Sequence, residues 1–527
     1  MFFREYIREL QRVERGSVRQ NKSASVKIAL VYPNRYCVGM ASLGFQTVYR
    51  IFNNHPGVRC ERAFLYEAPY DREVRTLESG ERLSCFDLVG FSLSFELDLF
   101  NVIRILMRTG IRILVEDRIE KDPLVFIGGI VTSLNPAPLL PFVDGLVVGE
   151  GEKCIHQIAD ALYVAKQKKV SRPEKLQTLN EIEGIFIPAI NTPVKKQILH
   201  SLEAYPTYTP IVTPKSHFKN MFIVEVGRGC TRGCLFCAAK KAYYPYRLRS
   251  VESIIETVAR WNPGAHRIGL GGAALSDYPD LEDLCEAFVN MGHEISLSSI
   301  RADRVTPNLV NLLDRGKVKS FTIAPEAGTE RLRQSIGKGI ADETLKQVVL
   351  LLKNSTINIM KLYFLIGLPG ETGEDIQAMV RLIQELAIIF HSKNKRKLIR
   401  LSVNAFIPKP FTEFQWLPMA GERILAEKLC MIKQGLKGKK NIVLISKNLR
   451  NDIMEGILSL GDEKVGLTVG ETVVKGIPWK KAVKNQGIDV DTLLHHEKSL
   501  EAKLPWDFIQ NTGSKQKLWD AYQGGTR

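Results

Sequence analysis

From residue 25 onward, short apolar runs alternate with segments whose apolar positions recur every three to four residues. "SVKIALVYP", "VRCERAFLY", "DLVGFSLS", "PLVFIGG" and "GLVVGEG" have strand length, while the stretches from about Gly39 to Asn53, Glu96 to Arg108 and Glu152 to about Lys166 carry the helical period. Near-continuous apolar strands separated by helices are what a parallel sheet covered on both faces requires. Residues 25–167 are therefore expected to form a doubly wound α/β domain of flavodoxin-like, Rossmann-type architecture. Ligands of such sheets lie beyond the carboxyl ends of the strands, which here carry "YPNRYCVGMASLG", "SLSFE", "GGIVTS" and "GEGE".

Residues 168–218 lose this order. "QKKVSRPEK" and "PTYTPIVTPKS" are polar and proline-rich around one short strand, "GIFIPAI", and read as a connector. A second alternation fills 219–455: "MFIVEVGRGC", "HRIGLGG", "EISLSSIRAD", "SFTIAPEAG", "NIMKLYFLIGLPGE" and "IRLSVNAFIPKP", each separated by a helix-length segment. This suits a partial or complete parallel β/α barrel, whose reactive groups gather where strands end. Residues 1–24 form an N-terminal segment, and 456–527, with "GIPWKKAV" and "KLPWDFI", a small helical appendage.

At 527 residues, 45% hydrophobic and 25% charged, the chain has the composition of a soluble globular protein of about three domains. Its opening residues scatter charges where a secretory signal needs an apolar core, and its most apolar stretch is broken by Pro136, Pro138, Pro141 and Asp144. A cytoplasmic enzyme without a membrane span is the expectation. The excess of 73 basic over 57 acidic residues, a net +16, favours a polyanionic partner such as nucleic acid. The basic runs "SKNKRKLIR" (392–400) and "KQGLKGKK" (433–440) also fit ordinary solvated surface.

Nine cysteines, an odd number spread over a long chain, do not read as a disulfide framework. Cys60, Cys85, Cys154, Cys285 and Cys430 sit beside apolar neighbours and are read as buried small hydrophobes. Cys37, in the first strand-to-helix turn, is either packing or a reactive or ligating thiol. "GRGCTRGCLFC" differs from all of these, with Cys230, Cys234 and Cys237 in the order C-x3-C-x2-C. A structural zinc site wants four ligands, usually two separated pairs, and no second pair or neighbouring His closes this one. Three thiolates on a [4Fe-4S] cluster leave one iron open to a ligand. Gly227, Gly229 and Gly233 leave the loop free to wrap such a cluster.

The triplet, with Phe236 before its last Cys and at the end of the first strand of a barrel-like series, resembles the radical S-adenosylmethionine (SAM) superfamily. The resemblance implies a [4Fe-4S] cluster held by Cys230, Cys234 and Cys237 and reductive cleavage of SAM to a 5′-deoxyadenosyl radical. It also implies SAM contacts at Phe236, at Gly271 and Gly272 in "GLGGAALSDYP", at Ser299 and Arg301 in "SLSSIRAD", at Glu326 in "APEAGTERLRQSIGKG", and at Ile366, Gly367 and Leu368 in "LIGLPGET". Ala273 stands where an acid often follows the glycine pair, so the contact there is by backbone or comes from elsewhere. A reductant such as a flavodoxin or ferredoxin is implied as partner.

"YPNRYCVGMASLGFQTVY", "FVDGLVVGEGE", "YRLRSVESI", "FIPKPFTEFQW" and "LPWDFI" extend the resemblance over nearly the whole chain, to radical SAM proteins with an N-terminal cobalamin (B12)-binding-type domain. A D-x-H-x-x-G loop, the usual source of an imidazole for cobalt, is missing, and residues 25–155 contain only His55. Three outcomes stay open: cobalamin without a protein ligand, cobalamin with another ligand, or a domain kept as scaffold. With cobalamin, methyl transfer to an unactivated carbon is the natural reaction. Without it, hydrogen abstraction leading to rearrangement, ring formation or sulfur insertion remains, although no extra three-cysteine set of the methylthiotransferase kind is visible. RNA or ribosome modification is one candidate target. The alternative of another class is a non-catalytic iron–sulfur protein that binds nucleic acid or regulates.

Four further features carry two readings each. "KKAYYPYRLRS" either stacks bases and holds phosphates or forms barrel wall. Arg228 either balances the cluster's charge or the SAM carboxylate, or lies on the surface. His495, His496 and Glu497 look like a metal trio, but adjacent helical residues point apart by about 100°, which favours a solvated helix. "FIPKPFTEFQWLP" reads as a lid or barrel-end segment rather than a partner-binding tract.

Overall fold

The computed structural model describes residues 2–67, 70, 74–392, 396–510 and 513–525. The basic run 392–400 thus lies partly outside the described residues.

The first apolar series forms β1 (Val26–Tyr32), β2 (Val58–Phe64), β3 (Leu88–Ser92), β4 (Leu124–Gly128), β5 (Gly145–Val147) and β6 (Ile185–Phe186), in the order β2-β1-β3-β4-β5-β6. The first five are parallel and have the flavodoxin order. β1 is buried almost throughout because helices cover both faces of the sheet. The expected connector is partly built into this unit: β6 pairs antiparallel with β5. The helix Arg172–Asn180, started by a Ser171–Glu174 capping box, anchors Arg172 on Asp144 at 2.6 Å.

After the short β7 (Val194–Lys195), the second series gives β8 (Met221–Glu225), a two-residue pair β9 (Gly227–Arg228) and β10 (Arg247–Leu248), then β11 (Arg267–Gly271) and β12 (Glu294–Leu297). It continues with β13 (Ser320–Glu326), β14 (Ile359–Ile366), β15 (Leu398–Ala405) and β16 (Ile442–Ser446). β8, β11 and β12 form one parallel sheet and β13 to β16 another. The Ile300 amide, donating to the Thr322 carbonyl at 3.2 Å, links the two into an open, barrel-like arc. β16 is a seventh strand that the apolar pattern did not mark.

Along β14 the burial alternates. Met360, Leu362, Phe364 and Ile366 are buried against the helices, whereas Ile359, Lys361, Tyr363 and Leu365 line the concave side. Leu365 packs against the same apolar cluster as Phe236 of the cysteine loop, so the concave side leads toward the loop.

The last seventy residues pack on the first unit and on the connector. The helix Glu463–Val474 lies on the turn Ala137–Phe142 so closely that a Cβ on Gly466 would stand 2.1 Å from the Pro138 carbonyl oxygen. Asn135 donates to the carbonyls of Ser459 and Gly461, and β17 (Ile509–Gln510) pairs with β7. Trp506 is buried, its indole N–H bonded to Gln415. No helix among the described residues is long and apolar enough to cross a membrane. Of the isolated cysteines, Cys60, Cys154 and Cys285 are buried as expected, but Cys85 and Cys430 are exposed. Apolar neighbours in sequence did not translate into burial at those two positions.

Candidate active site

The cysteine loop runs from β9 to the short helix Ala238–Ala242. Gly229, at φ +90, starts it where any Cβ would meet the carbonyl oxygens of Tyr243 and Pro245 at 2.7 Å. Its middle is fixed from afar: the Leu235 amide donates to Ile336, and the Leu235 carbonyl accepts from Phe414, at 3.1 and 3.2 Å. Gly337, at φ +73, abuts Gly233. Burial pushes the Cys234 and Cys237 thiols up, while the amides of Ala239 and Lys240 at the helix start bond to Cys237 and act in the opposite sense. These N–H groups aim positive charge where a thiolate would sit.

Phe236 and Leu368 fall in one apolar cluster with Ala327, Leu332, Ile336, Phe406 and Phe414. Ile366 turns its side chain to the helices, leaving its backbone and that of Gly367, at φ +78, at the strand end. Glu326 holds φ +72, unusual for a residue with a Cβ, at a register shift between β13 and β14. Burial raises its carboxyl pKa and Lys338, 3.2 Å away, offsets this only in part. Arg301 bonds Asp303 and the Lys338 carbonyl, which ties the third and fourth strand ends together. Ser299 is exposed, and it is Ser298 whose hydroxyl donates to the Gly272 carbonyl, at 3.2 Å. Arg232 of the loop is clamped on Asp277 by two nitrogens.

Gly271, Gly272 and Ala273 also line a second feature, a cavity of about 490 Å³ between the first sheet and the arc. The sheet side of its wall is largely apolar and contains Gly44, Gly90, Gly128, Gly129, Gly149 and Gly151. Three of the four turns expected to hold ligand, those ending β3, β4 and β5, reach it through Ser92, Gly128–Ile130 and Gly149–Glu152. The first contributes only Leu43 and Gly44. Cys37 is not among the lining residues, and His55 is at the far end of the helix Leu43–Asn54, facing Asp160.

At the polar end of this cavity Arg228 is buried among Glu225, Glu152 and Glu150, at 2.7, 2.7 and 3.2 Å. Arg247 grips Glu150 with two nitrogens, each at 2.7 Å. Burial pushes the Glu150 carboxyl up, but the two arginines outweigh it and its pKa falls below the usual range. Arg228 is therefore neither surface nor engaged with the cysteines: it joins the "GEGE" turn of the first sheet to the arc. Within "KKAYYPYRLRS", Lys241 pairs with Glu413, Arg247 with Glu150, and Arg249 is buried against Ser253 and Thr257, so most of the motif is wall. His495 bonds the Met419 carbonyl, His496 faces Asp491 and Glu497 accepts from Tyr522, so the three diverge.

Comparison with known proteins agrees with this geometry. Residues 224–383, from the first strand of the arc through the cysteine loop and Glu326, match the family model for the radical SAM superfamily, and residues 44–188 match that for the N-terminal region of radical SAM proteins. The chain belongs to the radical SAM superfamily. An uncharacterised protein of Methanocaldococcus jannaschii is 29% identical over 446 residues, 83% of this chain and 89% of that one. An uncharacterised methyltransferase of Pyrococcus horikoshii is 23% identical over 52% of this chain and 60% of its own length. A ribosomal protein uS12 methylthiotransferase of a Thermotoga species is 25% identical over 31% of this chain and 41% of its own. The solved structure of the radical SAM methyltransferase TsrM from Kitasatospora setae, with cobalamin and a [4Fe-4S] cluster bound, shares the fold with a TM-score of 0.50 at 14% identity, covering 88% of this chain and 98% of that one.

As in other radical SAM enzymes, the cofactors are a [4Fe-4S] cluster and SAM, and the loop suits the cluster. Among the described residues no three His, Cys, Asp or Glu side chains close on one point as a single metal ion requires. A cubane holds its thiolates farther apart than a mononuclear ion does. Gly337, Lys338 and the GEGE–Arg228 contact escaped the sequence reading. The only local signal was "GKG" after Ile336, two glycines around a lysine.

Proposed function

We propose that this radical SAM enzyme holds cobalamin in the cavity between its two units and transfers a methyl group to an unactivated carbon, with no protein side chain on the cobalt. The observation that supports the reading is the cavity itself. Its floor of glycines lets a large planar ligand approach the backbone, its far end is Gly271–Ala273 on the SAM side, and no histidine lines it. TsrM, which shares the fold, is described with cobalamin and a cluster bound.

The [4Fe-4S] cluster supplies one electron and an open iron, by which SAM yields a 5′-deoxyadenosyl radical, and cobalamin supplies a methyl carrier. The chain's own part is positioning and exclusion. Cys230, Cys234 and Cys237 hold the cluster, and the apolar group around Phe236 and Leu368 keeps water from it. Glu326, fixed by Lys338, and the bare backbones of Gly272 and Gly367 offer SAM polar contacts at the strand ends. The Glu150, Glu152, Arg228, Arg247 group fixes the separation of the two cofactor sites.

The test is anaerobic reconstitution with iron, sulfide and cobalamin, followed by dithionite and SAM. Bound corrin in the visible spectrum and 5′-deoxyadenosine are the expected results. Iron without 5′-deoxyadenosine overturns the radical reading, and loss of all corrin on desalting overturns the cobalamin reading. Changing Cys230, Cys234 and Cys237 together to Ala should remove the brown chromophore.

A further inference from the structure

The concave side of the arc below the cysteine loop carries an arrangement that none of the cofactors uses. Parallel strands in register bring same-face residues into lateral rows, about 4.8 Å from strand to strand. Thr322 pairs with Lys361, Lys361 with Arg400, and Arg400 with Val443, which makes one row across β13 to β16. Two residues nearer the loop, Tyr363, Ser402 and Ile445 form the next row, and then Leu365 and Asn404. The concave positions of these four strands contain one carboxylate, Glu326, and Lys338 engages it.

Two cations thus stand side by side on adjacent strands. Like charges placed so repel and destabilise a sheet. Elsewhere this chain gives such cations a partner: Arg62 has Glu14 and Glu78, Arg267 has Glu294, Arg228 has three carboxylates, and the buried Lys196 and Lys397 have backbone carbonyls. Lys361 and Arg400 have no ion-pair or hydrogen-bond partner among the described residues. Tyr363, Val443 and Ile445 are large side chains left 37%, 44% and 51% exposed on the same face. A concave surface with unneutralised positive charge at one end and bare ring and aliphatic groups along it is shaped for a molecule with an anionic end and an apolar or planar body.

We propose that this face binds the substrate, and that the substrate bears an anionic oxygen group, phosphate or carboxylate, held between Lys361 and Arg400. The guanidinium offers paired N–H donors and the ammonium a point charge, with the Thr322 hydroxyl beside them. The body lies over Tyr363 and Ile445. At about 3.3 Å per residue, the four residues from Lys361 to Leu365 place the reacting end roughly 13 Å from the anion, at the apolar cluster on which Phe236 of the cysteine loop also packs. This rests on the radical reading for what happens at the loop, but the binding itself does not.

The test uses the full chain without SAM or reductant and measures thermal unfolding at fixed ionic strength in chloride, pyrophosphate or citrate. Pyrophosphate is the phosphate probe and citrate the carboxylate probe. At saturation one of them should raise Tm by about 1–2 °C, and which one does so assigns the group. Lys361→Gln with Arg400→Gln should abolish that rise and leave Tm in chloride unchanged or higher, because a repulsion has been removed. Lys361→Arg should retain the rise. An equal rise in wild type and double variant, no rise with either anion, or a lower Tm of the double variant in chloride overturns the proposal. 5′-Deoxyadenosine formation is read separately, so failure of either idea leaves the other standing.

Discussion

Replacing Gly337 by Ala perturbs the cysteine loop from a position a hundred residues away in sequence. The added Cβ would lie 2.3 Å from the Gly233 carbonyl oxygen, and real contacts of this kind do not fall below 3.0 Å, so the two segments must part by about 0.7 Å. Both partners are backbone, and Leu235 is bonded to Ile336 beside them, so no flexible tip can yield. A φ of +73 adds the left-handed penalty of about 1–2 kcal/mol for a residue with a Cβ. With the clash, about 2–4 kcal/mol acts against the native loop. The expected outcome is a folded chain that assembles its cluster poorly, with iron below about half of the four atoms per chain of a full cubane. Gly339→Ala is the control: its φ is +54, but its nearest atom is the end of Gln334 at 3.9 Å, so it carries strain without collision and should retain iron. Iron and sulfide determination after anaerobic reconstitution, with circular dichroism on the same samples, reads both. Equal iron in the two variants would refute the argument that Gly337 seats the loop.

Three other outcomes follow from particular residues. Arg247→Met removes the two-nitrogen grip on Glu150 and leaves it to Arg228 and the Leu199 amide, so it should cost about 2 kcal/mol, read as a lower urea midpoint. Asp98, whose pKa burial raises to about 6, contributes stability that is complete below its unfolded pKa near 4 and is lost as pH rises through 6. Asp98→Asn keeps an oxygen for Asn34 and Asn101, so it should flatten the decline between pH 4 and 6 and gain about 2 kcal/mol at pH 7, measured as urea midpoints across that range. Gly44→Phe fills the cavity from a helix where a Cβ meets nothing within 4 Å. It should raise Tm slightly, since Gly is a poor helix former, and abolish corrin retention on a desalting column.

The two α/β units were legible because a covered parallel strand must be apolar nearly throughout, a signal that "KIALVY" and "LVGFS" carry without help from neighbours. β16 was not, because "NIVLIS" follows a basic run and leaves Val443 and Ile445 exposed, which blurs its apolar character. The cysteine triplet is a local code, visible within eight consecutive residues. Its supports are not local: Gly337, Ile336 and Phe414 reach it only through the folded chain. Arg228 gives the same lesson, since its neighbours in sequence say nothing of Glu150 and Glu152, whose charge decides where it points.

The seat of Gly466 on Pro138, with Lys409 bridging Glu96 and Glu455 and Phe100 against Trp479, has a consequence for synthesis. Part of the cover over this flank of the first sheet comes from residues more than 300 positions further along the chain. Until that later stretch is made, Phe100 and the turn at Pro138 stay uncovered, and a chain that stops after residue 460 has a greasy flank that aggregates rather than a working shorter enzyme.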